Sequence, residues 1–146
     1  MITMTDSISN KLSLQRKLAR VAVSTAIGIA AALLGNAANA GEIRKADMEA
    51  YMQAATQNKP IIMHVHAGWC PVCSKQGPLI EALMQEPEFK DVIVFKIDFD
   101  ADKPLVDQLG VKFQSTLIAA KGSTEVGRSA GVTDKDKLRE FIRSAL

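Results

Sequence analysis

Cysteine is scarce in this chain of 146 residues: there are two, at positions 70 and 73. A tetrahedral zinc centre built from two cysteine pairs is therefore excluded. A disulfide across so short a loop restricts the unfolded chain little, so the pair has small value as a staple. Repeats, low-complexity tracts and internal linkers are missing after Gly41. So is an apolar run long enough to span a bilayer, which takes about 20 residues. An excess of one charge is missing too, once the chain is divided. The formal +2 comes from residues 1–40, which hold Lys11, Arg16, Lys17 and Arg20 against Asp6. Residues 41–146 carry 14 basic and 15 acidic side chains. That balance gives no basic surface for nucleic acid, and no nucleic-acid partner is expected.

Residues 1–40 have the pattern of a secretory signal peptide. A basic region ends at Arg20, and Val21 to Gly35 form an uncharged apolar run. Ala38-Asn39-Ala40 then places small residues where a signal peptidase inspects them. The run has about 15 residues, short of a spanning helix. Cleavage after Ala40 and a periplasmic location are expected. The remaining 106 residues, Gly41–Leu146, suffice for one core. An exported domain that keeps one close cysteine pair keeps it for chemistry.

Along this domain, Met48, Tyr51, Met52 and Ala55 recur at helical spacing, so a helix is expected over about 44–57 with its methionines in the core. Ile61 to His66 reads as a strand, with Ile61, Met63 and Val65 on one face and Ile62, His64 and His66 on the other. Gly68-Trp69-Cys70-Pro71 breaks it, and Pro71 suits the first turn of a helix running to about Gln85, kinked at Pro78. A strand over 92–98, a short helix over 102–109, strands over 115–119 and 125–128, and a last helix carrying Leu138, Phe141, Ile142 and Ala145 complete the pattern. Thr133-x-x-Asp136 resembles a capping box for that last helix. The order predicts an α/β fold: two helical layers around a mixed central sheet.

The chemistry rests on Cys70-Pro71-Val72-Cys73, where a strand hands over to a helix. Thiol–disulfide exchange needs a thiolate, and a free thiol of pKa ~8.5 is mostly protonated at neutral pH. The unpaired N–H groups and macrodipole of a helix N-terminus favour negative charge there. Cys70 takes that place and is the candidate nucleophile. Cys73, one turn later, is the candidate resolving thiol, able to attack a mixed disulfide formed at Cys70. The rival reading is a non-enzymatic metal-binding module in which Cys70 and Cys73 join His64 or His66.

Ala67-Gly68-Trp69-Cys70-Pro71-Val72-Cys73 resembles the active-site segment of the thioredoxin superfamily, and the resemblance extends over nearly all of 41–146. Pro78 is similar to the kink proline of that family's active-site helix, Lys96 to its buried lysine, Gly122 to its hairpin glycine and Gly131 to its late glycine. The resemblance implies a thioredoxin-like three-layer α/β/α sandwich. It also implies a thiol–disulfide oxidoreductase, more a reductant than an oxidant, with no bound cofactor and no metal. Its partners would be oxidised or reduced cysteine-containing proteins and a membrane thiol-electron transporter, and it would be a monomer. His64, Lys96 and Trp69 are supporting candidates. Trp69, Pro71, Gln114, Ser115 and Thr116 are candidate substrate contacts. Three positions depart from the family pattern. Pro-Val separates the cysteines where reducing thioredoxins have Gly-Pro, so the potential does not carry over. His64 stands where a buried Asp is usual. Ser115 stands where a cis-proline is usual, and its bond to Gln114 is expected to be trans because a non-proline cis bond costs about 2.5–4 kcal/mol. No strand is evident in Gly41–Ile43 ahead of the first helix.

Overall fold

The computed structural model describes residues 40–146, so the expected signal peptide and its cleavage site before Gly41 lie almost wholly outside the described residues. The elements are β1 (Glu42–Lys45), α1 (Met48–Thr56), β2 (Pro60–His66), α2 (Pro71–Met84), a 3-10 turn (Pro87–Phe89), β3 (Ile93–Asp98), α3 (Lys103–Gln108), β4 (Thr116–Lys121), β5 (Thr124–Ala130) and α4 (Lys135–Arg143). The sheet runs in the order β1-β3-β2-β4-β5. β3 is parallel to β1 and β2, whereas β4 is antiparallel to β2 and β5. This is the mixed sheet expected from the element order.

Strand β2 sits at the centre, and the alternation of its side chains divides the core. Ile62 joins Ile80, Leu83, Met84, Phe89, Val94, Leu117, Leu138 and Ile142 on the face covered by α2 and α4. Ile61, Met63 and Val65 join Phe95, Ile97, Val106 and Ile118 on the face covered by α1 and α3. A strand buried on both faces gives polar residues no route to water, which decides the fate of His64.

Four sequence expectations are corrected. An N-terminal strand exists: Glu42–Lys45 pairs with Ile93–Lys96 of β3. Its charged ends hid it, because a short edge strand keeps polar residues and shows little alternation. Gly41 admits it to the sheet, since a Cβ there would lie 2.6 Å from the Phe89 carbonyl oxygen and 2.8 Å from Met84 Sδ. With residues 42–45 in a strand, α1 starts only at Met48, capped by the Asp47 carboxylate, which accepts from Ala50 N–H at 2.8 Å. Met48 and Met52 are not core; they are 52% and 55% exposed. The helix turns Ala50, Tyr51, Ala54 and Ala55 to the sheet instead, where small side chains allow close approach and Tyr51 meets Phe95 edge-on at 6.1 Å. The last helix is capped not by Thr133 with Asp136 but by Asp134, whose carboxylate accepts from Lys137 N–H at 2.9 Å.

The β4–β5 hairpin turns on Gly122 (φ 58°). That is the first central position of a two-residue turn, where type II′ geometry favours glycine. A Cβ there would also approach the Ala55 carbonyl oxygen to 2.9 Å. Gly122→Ala should therefore lower stability by about 1–2 kcal/mol in urea unfolding. Gly77→Ala provides the contrast. Gly77 lies within α2 with open space around its missing Cβ, and the substitution should raise stability by about 0.5–1 kcal/mol.

Candidate functional site

At the end of β2 the chain turns on Ala67, whose carbonyl accepts from Cys70 N–H at 3.2 Å. Cys70 is the N-cap of α2, with extended backbone (φ −83°, ψ 115°), and Pro71 opens the helix behind it. A capping residue uses a side-chain acceptor to satisfy a free N–H of the first turn. Here the acceptor is sulfur: Cys73 N–H donates to Cys70 Sγ at 3.1 Å. The two sulfurs lie at disulfide distance, with Cα atoms 5.2 Å apart. Both cysteines are buried, at 2% and 7% exposure, and pack against Ala67, Val72 and Phe99.

Trp69 is the exposed edge of this turn. Its indole Nε1–H donates to Asp100 Oδ2 at 2.7 Å, across from the loop that follows β3. That loop is itself ordered by Asp98, whose carboxylate accepts from Asp100 N–H and Ala101 N–H at 2.9 Å each. These backbone donors hold the Asp98 carboxyl below its ordinary pKa. Pro71 is exposed, Gln114 half-buried, and Ser115 and Thr116 buried. Among the described residues every peptide bond is trans, including Gln114–Ser115 as expected, and Ser115 adopts φ 61°. The Ser115 carbonyl accepts from Gly131 N–H at 3.0 Å and from Gln76 Nε2 at 3.3 Å. Cys70 Sγ takes its hydrogen bond from Cys73, not from Ser115.

His64 lies under the first turns of α2, 2% exposed, with the Gln76 amide beside it. Burial lowers its pKa to about 4, helped by the nearby charges of His66 and Lys96 and opposed by Gln76. Lys96 is its cross-strand partner in β3, half-buried. His66, two residues on with its ring 5.7 Å away, is also lowered, chiefly by burial. Among the described residues no group of three or more His, Cys, Asp or Glu side chains is gathered to hold a metal ion. The metal-binding reading with Cys70, Cys73 and His64 or His66 is thus not assembled: the cysteines face each other, and the histidines belong to the sheet.

A thioredoxin family model matches residues 42–144. The chain belongs to the thioredoxin family. Over 82 residues it is 38% identical to a thioredoxin of Chlamydia muridarum, covering 56% of this chain and 78% of that one. The crystal structure of Trxlp from Edwardsiella tarda matches with a TM-score of 0.68 at 36% identity, covering 69% of this chain and 98% of that one. Spinach chloroplast thioredoxin F matches with a TM-score of 0.62 at 28% identity, covering 75% of this chain and 90% of that one. The fold is thioredoxin-like, and the protein is a thiol–disulfide oxidoreductase carrying the family's cysteine pair. The electrons pass through those cysteines, so the chemistry needs no cofactor.

Three residues of the site were not singled out in the sequence. Gln76 carries a signal in retrospect: it is the polar member of the inward stripe Cys73, Gln76, Ile80 and Leu83 of α2. Asp100 and Phe113 carry none, because an acidic loop residue and one exposed aromatic look ordinary. Phe113 is 71% exposed, and its carbonyl accepts from Thr116 Oγ1 at 2.6 Å.

His64 has a measurable consequence for acid stability. Its folded pKa, about 4, lies below the ordinary 6.5, so the unfolded chain binds a proton between those values that the folded chain refuses. The stability this contributes is complete above pH 6.5 and lost as pH falls through about 4. Between pH 7 and about 4.5, wild type should lose roughly 2–3 kcal/mol more than His64→Gln in urea unfolding. Equal losses would mean that His64 takes up its proton without penalty.

Proposed function

We propose that this thioredoxin-family protein is an exported, periplasmic reductant in which Cys70 attacks a substrate disulfide and Cys73 resolves the mixed disulfide. The observation that carries the division of labour is the cap: Cys70 Sγ, not Cys73 Sγ, receives the N–H of the helix's first turn. A thiolate at Cys70 gains a charge-assisted hydrogen bond and the favourable end of the macrodipole. Cys73 lies inside the first turn of α2 and attacks from the same side. His64, buried and neutral at pH 7, supplies a base for the Cys73 proton. Lys96 beside it favours that neutral form. Trp69 and Pro71, which flank Cys70 in the chain, and Gln114, Ser115 and Thr116, in the segment tied to α2 through Gln76, are proposed as partner contacts.

Oxidised cysteine-containing proteins are the proposed substrates, a membrane thiol-electron transporter the electron donor, and the working form a monomer. Export is supported by the basic and apolar pattern of residues 1–40 and the small residues before Gly41.

In a disulfide-reduction assay with insulin, Cys70→Ser should abolish activity, while Cys73→Ser should accumulate mixed disulfides with partners. Faster alkylation of Cys73 than of Cys70 in the reduced protein would reverse the roles. A potential near the thioredoxin value of roughly −270 mV supports a reductant, and one near about −120 mV a disulfide donor.

For export, mass spectrometry of protein from the envelope fraction should find a chain beginning at Gly41. A full-length form held in the membrane would instead make residues 1–40 an anchor.

A further inference from the structure

Gln76 is fully buried in α2, one turn beyond Cys73, and its side chain joins three parts of the site. Its amide nitrogen donates to the Ser115 carbonyl at 3.3 Å and to the Val132 carbonyl at 2.9 Å. Those two main-chain oxygens can only accept, so they fix which end of the amide is nitrogen. The other end, Oε1, is buried without a hydrogen-bond partner among the described residues, and so is Nε2 of His64 alongside it. Unpaired buried polar atoms are rare because each has given up its hydrogen bonds to water without replacement. Here the two are complementary. Oε1 can only accept, and Nε2 can donate when it carries the proton.

That pairing has a chemical consequence. A neutral imidazole carries one proton, and the hydrogen bond at one nitrogen decides which nitrogen remains basic. With Nε2–H held by Gln76, the lone pair is on Nδ1. We propose that Gln76 is a positioning residue of the redox centre: its Oε1 accepts from His64 Nε2–H and thereby leaves Nδ1 as the nitrogen that receives the proton of Cys73. This rests on the resolving step proposed above. In that step the Cys73 sulfur forms a bond to Cys70 Sγ, the bond between Cys70 and the partner sulfur breaks, and the partner leaves as a thiolate. The Cys73 proton passes to His64 Nδ1, and the imidazolium, disfavoured by burial, returns it to the departing thiolate or to solvent. The effect of Gln76 on the His64 pKa has the matching sign, since an acceptor facing the ring favours its protonated form.

The arrangement also ties the base to the partner-facing loops. The same amide that orients His64 holds the main chain at Ser115 and Val132, on either side of Gly131, whose N–H donates to the Ser115 carbonyl. A single apolar substitution at Gln76 therefore releases the ring and both loops together.

The test uses the full chain with 15N-labelled histidine. In the oxidised protein at about pH 7, the NMR spectrum of the His64 ring should show a protonated Nε2 and an unprotonated Nδ1, whereas a protonated Nδ1 overturns the proposal without any mutation. In rapid-mixing kinetics, Gln76→Leu should slow the resolving step about tenfold and leave the first attack by Cys70 unchanged. In a His64→Ala background it should slow resolution no further, because the two residues act as one unit. A purely structural role predicts lower thermal stability, independent effects in the double mutant and an unaltered tautomer. If wild type performs no dithiol exchange at all, the proposed function falls, and the tautomer measurement still decides the pairing by itself.

Discussion

The redox centre depends on one hydrogen bond, from Cys73 N–H to Cys70 Sγ at the start of α2. An ordinary helix would place an oxygen there. With sulfur as the cap, the group that stabilises the helix is also the proposed nucleophile, and an N–H of the first turn is aimed at it. The central position of β2 makes this arrangement stiff. The strand is hydrogen-bonded on both edges, to β3 and β4, and ends at His66, where the Phe99 N–H donates to its carbonyl at 2.8 Å. The chain has only Ala67, Gly68 and Trp69 in which to turn, and the Trp69 indole is held by Asp100. The cysteines are therefore placed by the sheet.

Burial in the same sheet gives the centre its electrostatic character. His64 and Lys96 are cross-strand neighbours, and neither brings negative charge beneath the cysteines. A carboxylate at position 64 would repel the thiolate when ionised. A histidine with pKa about 4 is neutral at pH 7 and repels nothing. In the resolving step proposed above, the imidazole passes from neutral to cationic, and its cationic form attracts the thiolate. Gln76 fits this logic, since a neutral amide can orient an imidazole without adding charge.

The fold was legible in the sequence because its signals are local and strong. The period-two run in β2, the Pro71 start of α2 and the glycine of the β4–β5 hairpin each point to one structure. The cysteine pair was legible for the same reason. What escaped depends on tertiary placement. β1 is recognised only by its pairing to β3, since Glu42-Ile43-Arg44-Lys45 has no alternation to read. Met48 and Met52 share a helical stripe with Tyr51 and Ala55, but the sheet accepted the face with Ala50 and Ala54, because small side chains let α1 approach closely. Gln76 is one polar residue on an apolar stripe. Its meaning appears only when Ser115, Val132 and His64, far apart in sequence, converge on it.

The direction of electron flow can be weighed against these interactions. Whatever stabilises the reduced thiolate over the disulfide makes the pair more oxidising. The cap already exists in the oxidised form, where Cys70 Sγ accepts from Cys73 N–H. Reduction therefore gains only the increment from a neutral to a charge-assisted hydrogen bond, about 1 kcal/mol. The helix terminus adds about 0.3–2 kcal/mol for a negative charge in its first turn. Together these reach about 3 kcal/mol, or roughly 65 mV for a two-electron couple. The gap between a reducing and a strongly oxidising member of this chemistry is about 150 mV, or roughly 7 kcal/mol. The helix start alone therefore cannot convert a reductant into a disulfide donor. A potential at the oxidising end would require a further favourable contact to the thiolate, and Cys70 Sγ receives no other hydrogen bond among the described residues. That shortfall supports the proposed reductant role independently of the residues between the cysteines.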